Sequence, residues 1–481
     1  MSGPYAPTDV VALFDAAEGT PPGFSGLAPA NAQVFNVRSS VFAGGAKGDG
    51  VTDDTAAIQA ALDVAIAQGG GIVYCPQPAA YYRLLSAGLR TGSNVRLVLD
   101  PGTTIQEDGA FDAITAKGTF GPAFSDLTVD GVAGAYSVTV ASGAIFAKGM
   151  YVQLEDQTNS RYAQNVVQSV AGNVVALRYP LPLAFTVANG SRVVVVVPVV
   201  NASVEGGRVV TTGNTIGVKG HIVDHFTVRN LRGTTGRHHV LVEFGLRCHV
   251  EDILSEGCGT ALTNGPAIGF TSCVGSVIAH CRNYNQLTDE AVTLYQNNQY
   301  CVVDDCEAVN GVGAHFQVDH QNQSCVMAHC RSIVAGNIAF YNVTGNQDCW
   351  FVDCFSTGAG TDAFNLTGAV GGGLLLPRAG GHGGWGINID ATSQYYGYWS
   401  IGSVDASGSG QIQDLGQFGA ADIISGSIQP RGQVNPASNL LSGQGVPAAG
   451  LGGNGDFFFR VDGGAGAHLY FKAGGAWGAL V

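Results

Sequence analysis

The chain has 481 residues, including 71 glycines, and its 22 Lys and Arg against 36 Asp and Glu give a net charge of −14. This acidic balance argues against duplex nucleic acid as a partner, and an anionic polymer would need a local basic patch or a cation. No apolar run of about 18 residues occurs, so we expect no membrane span. Residues 1–34 are rich in Pro, Gly and Ala and predict an arm or attachment segment without a secretory leader.

Residues 35–131 predict a capping helix and the first coils of a solenoid. Asp53 is a good helix N-cap, and five apolar residues repeat on one helical face: Ile58, Ala61, Leu62, Ala65 and Ile66. Three glycines at 69–71 end the helix, and residues 72–74 begin a strand. Such a helix covers the open core of a solenoid and blocks further strand addition.

Two stretches of this segment carry a resemblance, GAKGDGVTDDTAAIQAAL at 45–62 and GGGIVYCP at 69–76. They closely resemble the N-terminal signature of the pectate-lyase-like superfamily of right-handed parallel β-helices, many of which are phage tailspikes and polysaccharide depolymerases. The resemblance implies the fold and no catalytic residue, because the signature forms the cap and first coils. Asp49, Asp53 and Asp54 are accordingly interpreted as turn and cap residues.

Residues 132–200 interrupt this pattern with short Val-rich strands separated by Gly and Asn turns. We interpret them as a small antiparallel β module inserted in the solenoid.

The main coils are predicted over residues 201–430, where a Cys-containing sequence motif recurs about every 24 residues. Its last positions are 253, 281, 306, 330 and 354, at steps of 28, 25, 24 and 24. A fixed period without helical heptads indicates stacked strand–turn coils. The expected fold is therefore all-β, a right-handed parallel β-helix with a capping helix, an inserted module and a C-terminal strand module.

Two columns of the repeat raise the question of a metal site. Stacking places Cys281, Cys306, Cys330 and Cys354 in a ladder, which we interpret as buried free thiols, since no Cys-x-x-Cys occurs. A second column alternates acid and imidazole: Asp252, His280, Asp305, His329 and Asp353. We interpret it as a structural ladder of cross-coil hydrogen bonds, and we expect no metal and no cofactor.

Residues 431–481 read as a linker followed by two or three strands. The end of the chain resembles the terminal β modules of phage tail fibre and minor tail proteins. The resemblance implies a location in a virion tail, a homotrimer, and attachment to phage tail or baseplate proteins through the N-terminal segment.

Aligning the segments that precede the cysteine motif in each coil predicts which side chains of one sheet face inward and which face outward. Val292, Phe316, Phe340 and Phe364 are expected in one inward column, and Leu241, Leu294 and Val318 in another. The outward face then carries polar and aromatic residues suited to a sugar polymer. Together with Arg237 from the preceding turn, the candidate substrate-binding residues are His238, Tyr295, Gln317, Tyr341 and Asn365.

Glycosidic hydrolysis needs two carboxylates, one of which donates a proton. Glu290 and Asp319 are one pair, but five residues along a strand would separate them by roughly 16 Å. Asp289 with Glu290, assisted by His315, is the preferred cluster, and the candidate catalytic residues are Asp289, Glu290, His315 and Asp319.

The predicted function is binding and hydrolysis of a bacterial surface polysaccharide by a tailspike-like protein of a phage or prophage. Two alternatives stay open. One is a non-catalytic receptor-binding or structural tail protein that uses the same face. The other is a lyase for a uronate-containing glycan, for which Arg237, His238, His239, Tyr295 and His315 could supply a base and neutralise the carboxylate.

Overall fold

The computed structural model describes residues 33–259, 265–394, 397–399, 403–405, 407–414, 440–443, 457–460, 469–473 and 476–479. Most of the predicted N-terminal arm and of the predicted linker lies outside these residues. The described coils form a right-handed parallel β-helix, which confirms the predicted fold class.

The capping helix spans Thr55–Ala67 and covers the first coil with Ala57, Ile58, Ala61, Leu62 and Ala65. Ile66, predicted on the same face, is 39 % exposed.

Acidic residues at the start of the helix have the turn and cap roles predicted for them. The Asp53 carboxylate accepts the backbone N–H of Thr55 at 3.1 Å, and Asp54 accepts the N–H of Gly48 at 3.1 Å. The bond to Thr55 satisfies a backbone donor that the helix start leaves without a partner, whereas the bond to Gly48 holds the preceding loop. The N-cap is Asp54, one residue after the predicted Asp53, and its side chain makes no capping hydrogen bond.

Three parallel sheets form the walls of the solenoid, and each coil contributes a strand to them in the order sheet 1, sheet 2, sheet 3. Sheet 1 has 12 strands: Val34–Asn36, Gly71–Cys75, Val95–Leu99, Ser203–Glu205, Thr227–Arg229, His249–Glu251, Val277–Ala279, Val302–Asp304, Val326–Ala328, Trp350–Val352, Gly373–Leu375 and Gly397–Trp399. Sheet 2 has 11: Tyr82–Leu84, Thr104–Glu107, Arg208–Thr211, Arg232–Thr234, Leu254–Glu256, Arg282–Tyr284, Glu307–Val309, Arg331–Ile333, Phe355–Thr357, Arg378–Gly380 and Ser403–Val404.

Sheet 3 carries the candidate site and has 12 strands. They are Leu89–Thr91, Ile114–Lys117, Val199–Val200, Val218–Asp224, Val240–Leu246, Ile268–Thr271, Val292–Leu294, Phe316–Val318, Phe340–Asn342, Phe364–Leu366, Trp385–Ile389 and Gly410–Asp414. Val199–Val200 pairs with Val218–Asp224 beside the main path of the sheet.

The Asp and His column of the repeat forms the corner between sheets 1 and 2. All five residues have positive φ, between 45° and 53°. Asp and His adopt this left-handed conformation more readily than most residues do. His329 binds Asp304 at 2.8 Å, and Arg378 binds Asp353 at 2.7 Å. His329 and Asp353 are therefore bonded to residues outside the column and not to each other's neighbours within it.

The interior is built from stacks of like residues. Phe340 lies between Phe316 and Phe364, with ring centroids 5.0 and 4.9 Å away. All eleven cysteines are free and buried, which confirms the predicted thiol ladder. Among the described residues, no group of three or more His, Cys, Asp and Glu has the arrangement of a metal site.

The inserted module is a six-stranded antiparallel sheet with its own apolar core. In sheet order its strands are Thr119–Asp126, Arg192–Val197, Tyr151–Asp156, Arg161–Ala171, Val174–Leu177 and Ser137–Thr139, with short 3₁₀ helices at Gly143–Ile145 and Val187–Asn189. The first strand precedes the boundary expected at residue 132. Tyr151 ties the module to the solenoid by donating to the buried Asp224 carboxylate at 2.6 Å.

Near the C-terminus, four strands form a separate sheet: Leu440–Gly443, Phe457–Arg460, Leu469–Ala473 and Ala476–Ala479. No helix in the described parts of the chain has the length and apolar character needed to cross a membrane.

Candidate functional site

The register of sheet 3 decides which side chains share its outer face. Val292, Phe316, Phe340 and Phe364 pair in one buried column, as predicted. Leu241 does not belong to the neighbouring inward column, because it pairs with Gly269, and Gly269 pairs with Thr293. The prediction was one residue out of register in the coils before 290, and a slip of one residue moves a side chain to the opposite face.

The predicted acids Asp289 and Glu290 lie in the turn before the strand Val292–Leu294. Asp289 has a φ of 25°, and Gly313 lies against it one coil later. A Cβ at Gly313 would stand 2.1 Å from the Asp289 carbonyl oxygen, so the stacked turn needs glycine there. We call Asp289, Glu290 and Asp319 the acid cluster.

Glu290 is the most perturbed member of the acid cluster and is only 8 % exposed. Burial raises the pKa of its carboxyl well above the usual range, and a hydrogen bond to Asp289 and the charges of Asp289 and Asp319 raise it further. Crowded carboxyls cannot all ionise, so the proton stays on one of them. The arrangement holds Glu290 protonated at neutral pH.

Asp319 interacts electrostatically with both other acids, because the charge of Asp289 acts to raise its pKa and its own charge acts to raise the pKa of Glu290. The separation of roughly 16 Å between Glu290 and Asp319, expected from the rise of an extended strand, stays a prediction. Burial raises the pKa of Asp319, while a contact with His320 and a hydrogen bond from Gln317 lower it. Asp319 is 9 % exposed.

Tyr295 and Arg237 complete the surroundings of the acid cluster. Burial and the charges of the three acids raise the pKa of Tyr295, and the charge of Arg237 lowers it. Within the described parts of the chain, Arg237 Nε and Thr293 Oγ1 are buried and have no hydrogen-bond partner. Buried polar atoms are seldom left unpaired, so these two are candidates for contacts with a ligand.

His315 does not face the acid cluster. It is fully buried, its Nε2 accepts the Gly311 N–H at 3.0 Å, and its Nδ1 lies 2.8 Å from Ser332 Oγ. Burial lowers the pKa of His315 to about 4, so the ring is neutral. Both nitrogens are used inside the solenoid, and the predicted assistance to Asp289 and Glu290 is lost because the chain turns a corner at this residue.

His238 and His239 are interior residues as well. His238 Nδ1 binds the Pro266 carbonyl at 2.7 Å, and His239 Nδ1 binds Ser255 Oγ at 2.7 Å. Burial lowers the pKa of each to about 4. Three of the residues expected to serve a lyase are therefore buried neutral imidazoles.

The remaining predicted binding residues continue the outer face away from the acid cluster. Gln317, Tyr341 and Asn365 are register partners in successive coils, and all three are partly exposed. Asn365 donates to Asp362 at 2.8 Å. These residues form a polar and aromatic strip along the solenoid axis.

On the other side of the acid cluster lies a charged group that was not predicted from the sequence. Glu243 accepts Lys219 Nζ at 2.9 Å and lies 3.1 Å from His221 Nδ1. Burial acts to raise the pKa of Glu243, but the bonds to His221 and Lys219 dominate and lower it to about 2. Lys219 and His221 precede the region where the repeat was recognised, and only their alternation in a Val-flanked strand marks them as outward-facing.

Comparison with known proteins agrees with the observed architecture. Residues 35–120 match the family model described as rhamnogalacturonase A/epimerase, pectate lyase-like. The first coils are pectate-lyase-like. Among curated proteins of Azotobacter vinelandii, mannuronan C5-epimerase AlgE1 is 42 % identical over 104 residues, and alginate lyase 7 is 39 % identical over 103 residues. Each match covers 18 % of this chain, but only 7 % of the epimerase and 12 % of the lyase.

Two solved structures are similar to this chain at low sequence identity. The tailspike gp61 of Pseudomonas phage phi297 has a TM-score of 0.49 and 13 % identity, over 86 % of this chain and 80 % of that one. The A-module of Azotobacter vinelandii mannuronan C-5 epimerase AlgE6 has a TM-score of 0.35 and 13 % identity, over 82 % and 100 %.

Proposed function

We propose that this protein binds and hydrolyses a bacterial surface polysaccharide, with Glu290 as the general acid. The observation that carries the proposal is the burial of the Glu290 carboxyl next to Asp289, at the turn before a strand of sheet 3, where burial and the neighbouring acids raise its pKa. Glycoside hydrolases need one protonated and one ionised carboxyl across the scissile bond. Burial of one acid beside others is the usual way to separate their pKa values.

In the proposed step, Glu290 donates its proton to the glycosidic oxygen as the bond from that oxygen to the anomeric carbon breaks. Asp319 or Asp289, as an ionised carboxylate, acts as the base that takes a proton from the attacking water or as the nucleophile at the anomeric carbon. Water supplies the hydroxyl of one product, and the leaving sugar keeps the proton from Glu290. The distance between the Glu290 carboxyl and the second carboxylate in a substrate complex would distinguish an inverting from a retaining mechanism.

Substrate binding is proposed for the strip that flanks the acid cluster. Tyr295 and Tyr341 offer rings for sugar faces, and Gln317 and Asn365 offer amides for hydroxyl groups. The unpaired Arg237 Nε and Thr293 Oγ1 would gain partners from the bound glycan.

We further propose that the protein acts in a phage or prophage tail, as a homotrimer attached through its N-terminal segment. The sequence resemblance of the C-terminal strands to tail-fibre modules supports this setting. The curated relatives named as an epimerase and a lyase support a polysaccharide as the substrate, through a match to a small part of their length.

The test compares wild type with Glu290→Gln on extracted capsule or lipopolysaccharide glycans, with release of reducing ends as the measurement. Loss of the general acid is expected to slow cleavage about 10²- to 10⁴-fold, and Asp319→Asn should also slow it. Glu256→Gln, on the exposed part of sheet 2, is the matched control.

Three results would contradict the proposal. Undiminished cleavage by Glu290→Gln would remove Glu290 from the reaction. Products with an ultraviolet-absorbing double bond would identify a lyase. Tight binding by wild type with the polymer left intact would identify a receptor-binding protein.

A further inference from the structure

Two neighbouring strands of sheet 3 differ from the strands that follow them. Val218–Asp224 and Val240–Leu246 have seven residues each, whereas Val292–Leu294 and the next three have three. Ile222 and Phe244 interrupt the long strands with φ values of 54° and 56°. A β-branched or bulky residue rarely adopts this conformation, and it persists where the surrounding structure imposes it.

The bulge presents the Phe244 ring to the inserted module. Phe244 meets Tyr162 edge-to-face at 5.6 Å between ring centroids and meets His221 in the same way at 5.3 Å. All three rings are partly exposed. An aromatic group shared by the module and the solenoid therefore faces solvent beside the outer face of sheet 3.

Charges of both signs lie beside these rings: two lysines and Glu243 on sheet 3, and Glu155, which is the register partner of Tyr162 and binds Arg192 at 2.8 Å. Lys117 is exposed and pairs in register with His221, and Lys219 lies on the same strand as His221. Glu243 is ionised and offsets one of the two lysines. We call the three rings, together with Lys117 and Lys219, the patch; it places amino groups beside an aromatic surface in a chain that carries −14 overall.

The patch lies on the same face as the acid cluster. The strand of Glu243 pairs with Ile268–Thr271, and that strand pairs with Val292–Leu294, next to Glu290. Two steps between neighbouring strands amount to about 10 Å. A polymer that runs along the solenoid axis through the acid cluster would reach the rings within a few sugar units.

We propose that Tyr162, Phe244 and His221 form a second carbohydrate subsite, which binds a sugar ring carrying an acidic group. The rings of Tyr162 and Phe244 offer an apolar surface for the sugar face, and the exposed Lys117 binds the acidic group. The inserted module thereby contributes directly to the selection of the glycan. The position of the subsite in a cleavage groove rests on the proposed function, while its binding of an acidic sugar does not.

Binding is measured with the full chain carrying Glu290→Gln, so that slow cleavage does not interfere. The probes are polymannuronate as an acidic polymer and dextran as a neutral one, compared by affinity electrophoresis at low and high salt. Polymannuronate should bind and dextran should not, and high salt should weaken the binding.

Added to this background, Tyr162→Ala should weaken polymannuronate binding about three- to tenfold through loss of the ring. Lys117→Gln, at an exposed position, should weaken binding at low salt and reduce its salt dependence. Phe124→Ala is the matched control, since this ring of the same module lies against Arg192, 5.0 Å away. Circular dichroism and urea denaturation check that each variant is folded.

Failure of the parent protein to bind polymannuronate, or equal binding by folded Tyr162→Ala, would overturn the subsite. Failure of the proposed function gives a different result, which is read on the host glycan: Glu290→Gln still cleaves it, or wild type forms unsaturated products or leaves the polymer intact. In that case a loss of binding in Tyr162→Ala would still support the subsite.

Discussion

Replacing Glu290 by glutamine should stabilise the protein at neutral pH, and this prediction requires no substrate. The folded chain raises the pKa of Glu290 above its ordinary value of 4.5. Between the unfolded and folded pKa values, the folded state therefore binds more protons than the unfolded state. The free energy of unfolding of the wild type consequently falls as pH rises through this interval. Glutamine keeps the shape of the side chain and has no proton to lose.

The magnitude follows from the causes of the shift. Each tenfold gain in proton affinity on folding costs about 1.4 kcal/mol of stability above the folded pKa. Burial and two neighbouring acids act in the same direction on Glu290. We expect Glu290→Gln to gain about 1.5–3 kcal/mol over wild type at pH 8 relative to pH 5.

The assay is urea denaturation of both proteins at pH 5 and pH 8, followed by intrinsic tryptophan fluorescence. Glu256→Gln, at an exposed position, controls for general effects of removing a glutamate. A difference between wild type and Glu290→Gln that stays constant with pH would refute the raised pKa. If the free energy of unfolding of wild type instead rises relative to that of Glu290→Gln as pH rises, the pKa of Glu290 is lowered on folding and not raised.

Two further predictions concern the interior. Phe340→Ala should destabilise the solenoid by about 3–5 kcal/mol, because it opens a cavity between two stacked rings. Urea denaturation should show a clearly smaller loss of stability for Tyr341→Ala, on the outer face. Equal losses would contradict the assignment of Phe340 to the interior. The eleven buried thiols should not react with Ellman's reagent until the chain unfolds, since burial raises the pKa of thiols such as Cys75. A fast-reacting cysteine in the native protein would contradict their placement in the interior.

Local signals in the sequence were sufficient for the solenoid and for part of its register. The glycines after the capping helix are a local signal for its end. The constant step of 24 residues correctly aligned Phe316 with Phe340 and Phe364. At the cysteine step of 25 residues, from 281 to 306, sheet 3 keeps a step of 24 from Gly269 to Thr293, so the predicted register slipped there and Leu241 was assigned to the wrong face. Periodicity transfers between coils only while the turns keep their length.

The β-helix, its cap, its thiol ladder and the outward positions of Tyr295, Gln317 and Tyr341 could be predicted from the sequence, because they follow from repetition and from the alternation of side chains along a strand. The surroundings of the acids and of His315 could not. Glu290 is buried beside Asp289, and a bend at His315 directs that ring inward. The direction of the backbone at a turn depends on the coils stacked on either side of it, so the sequence repeat alone does not predict it.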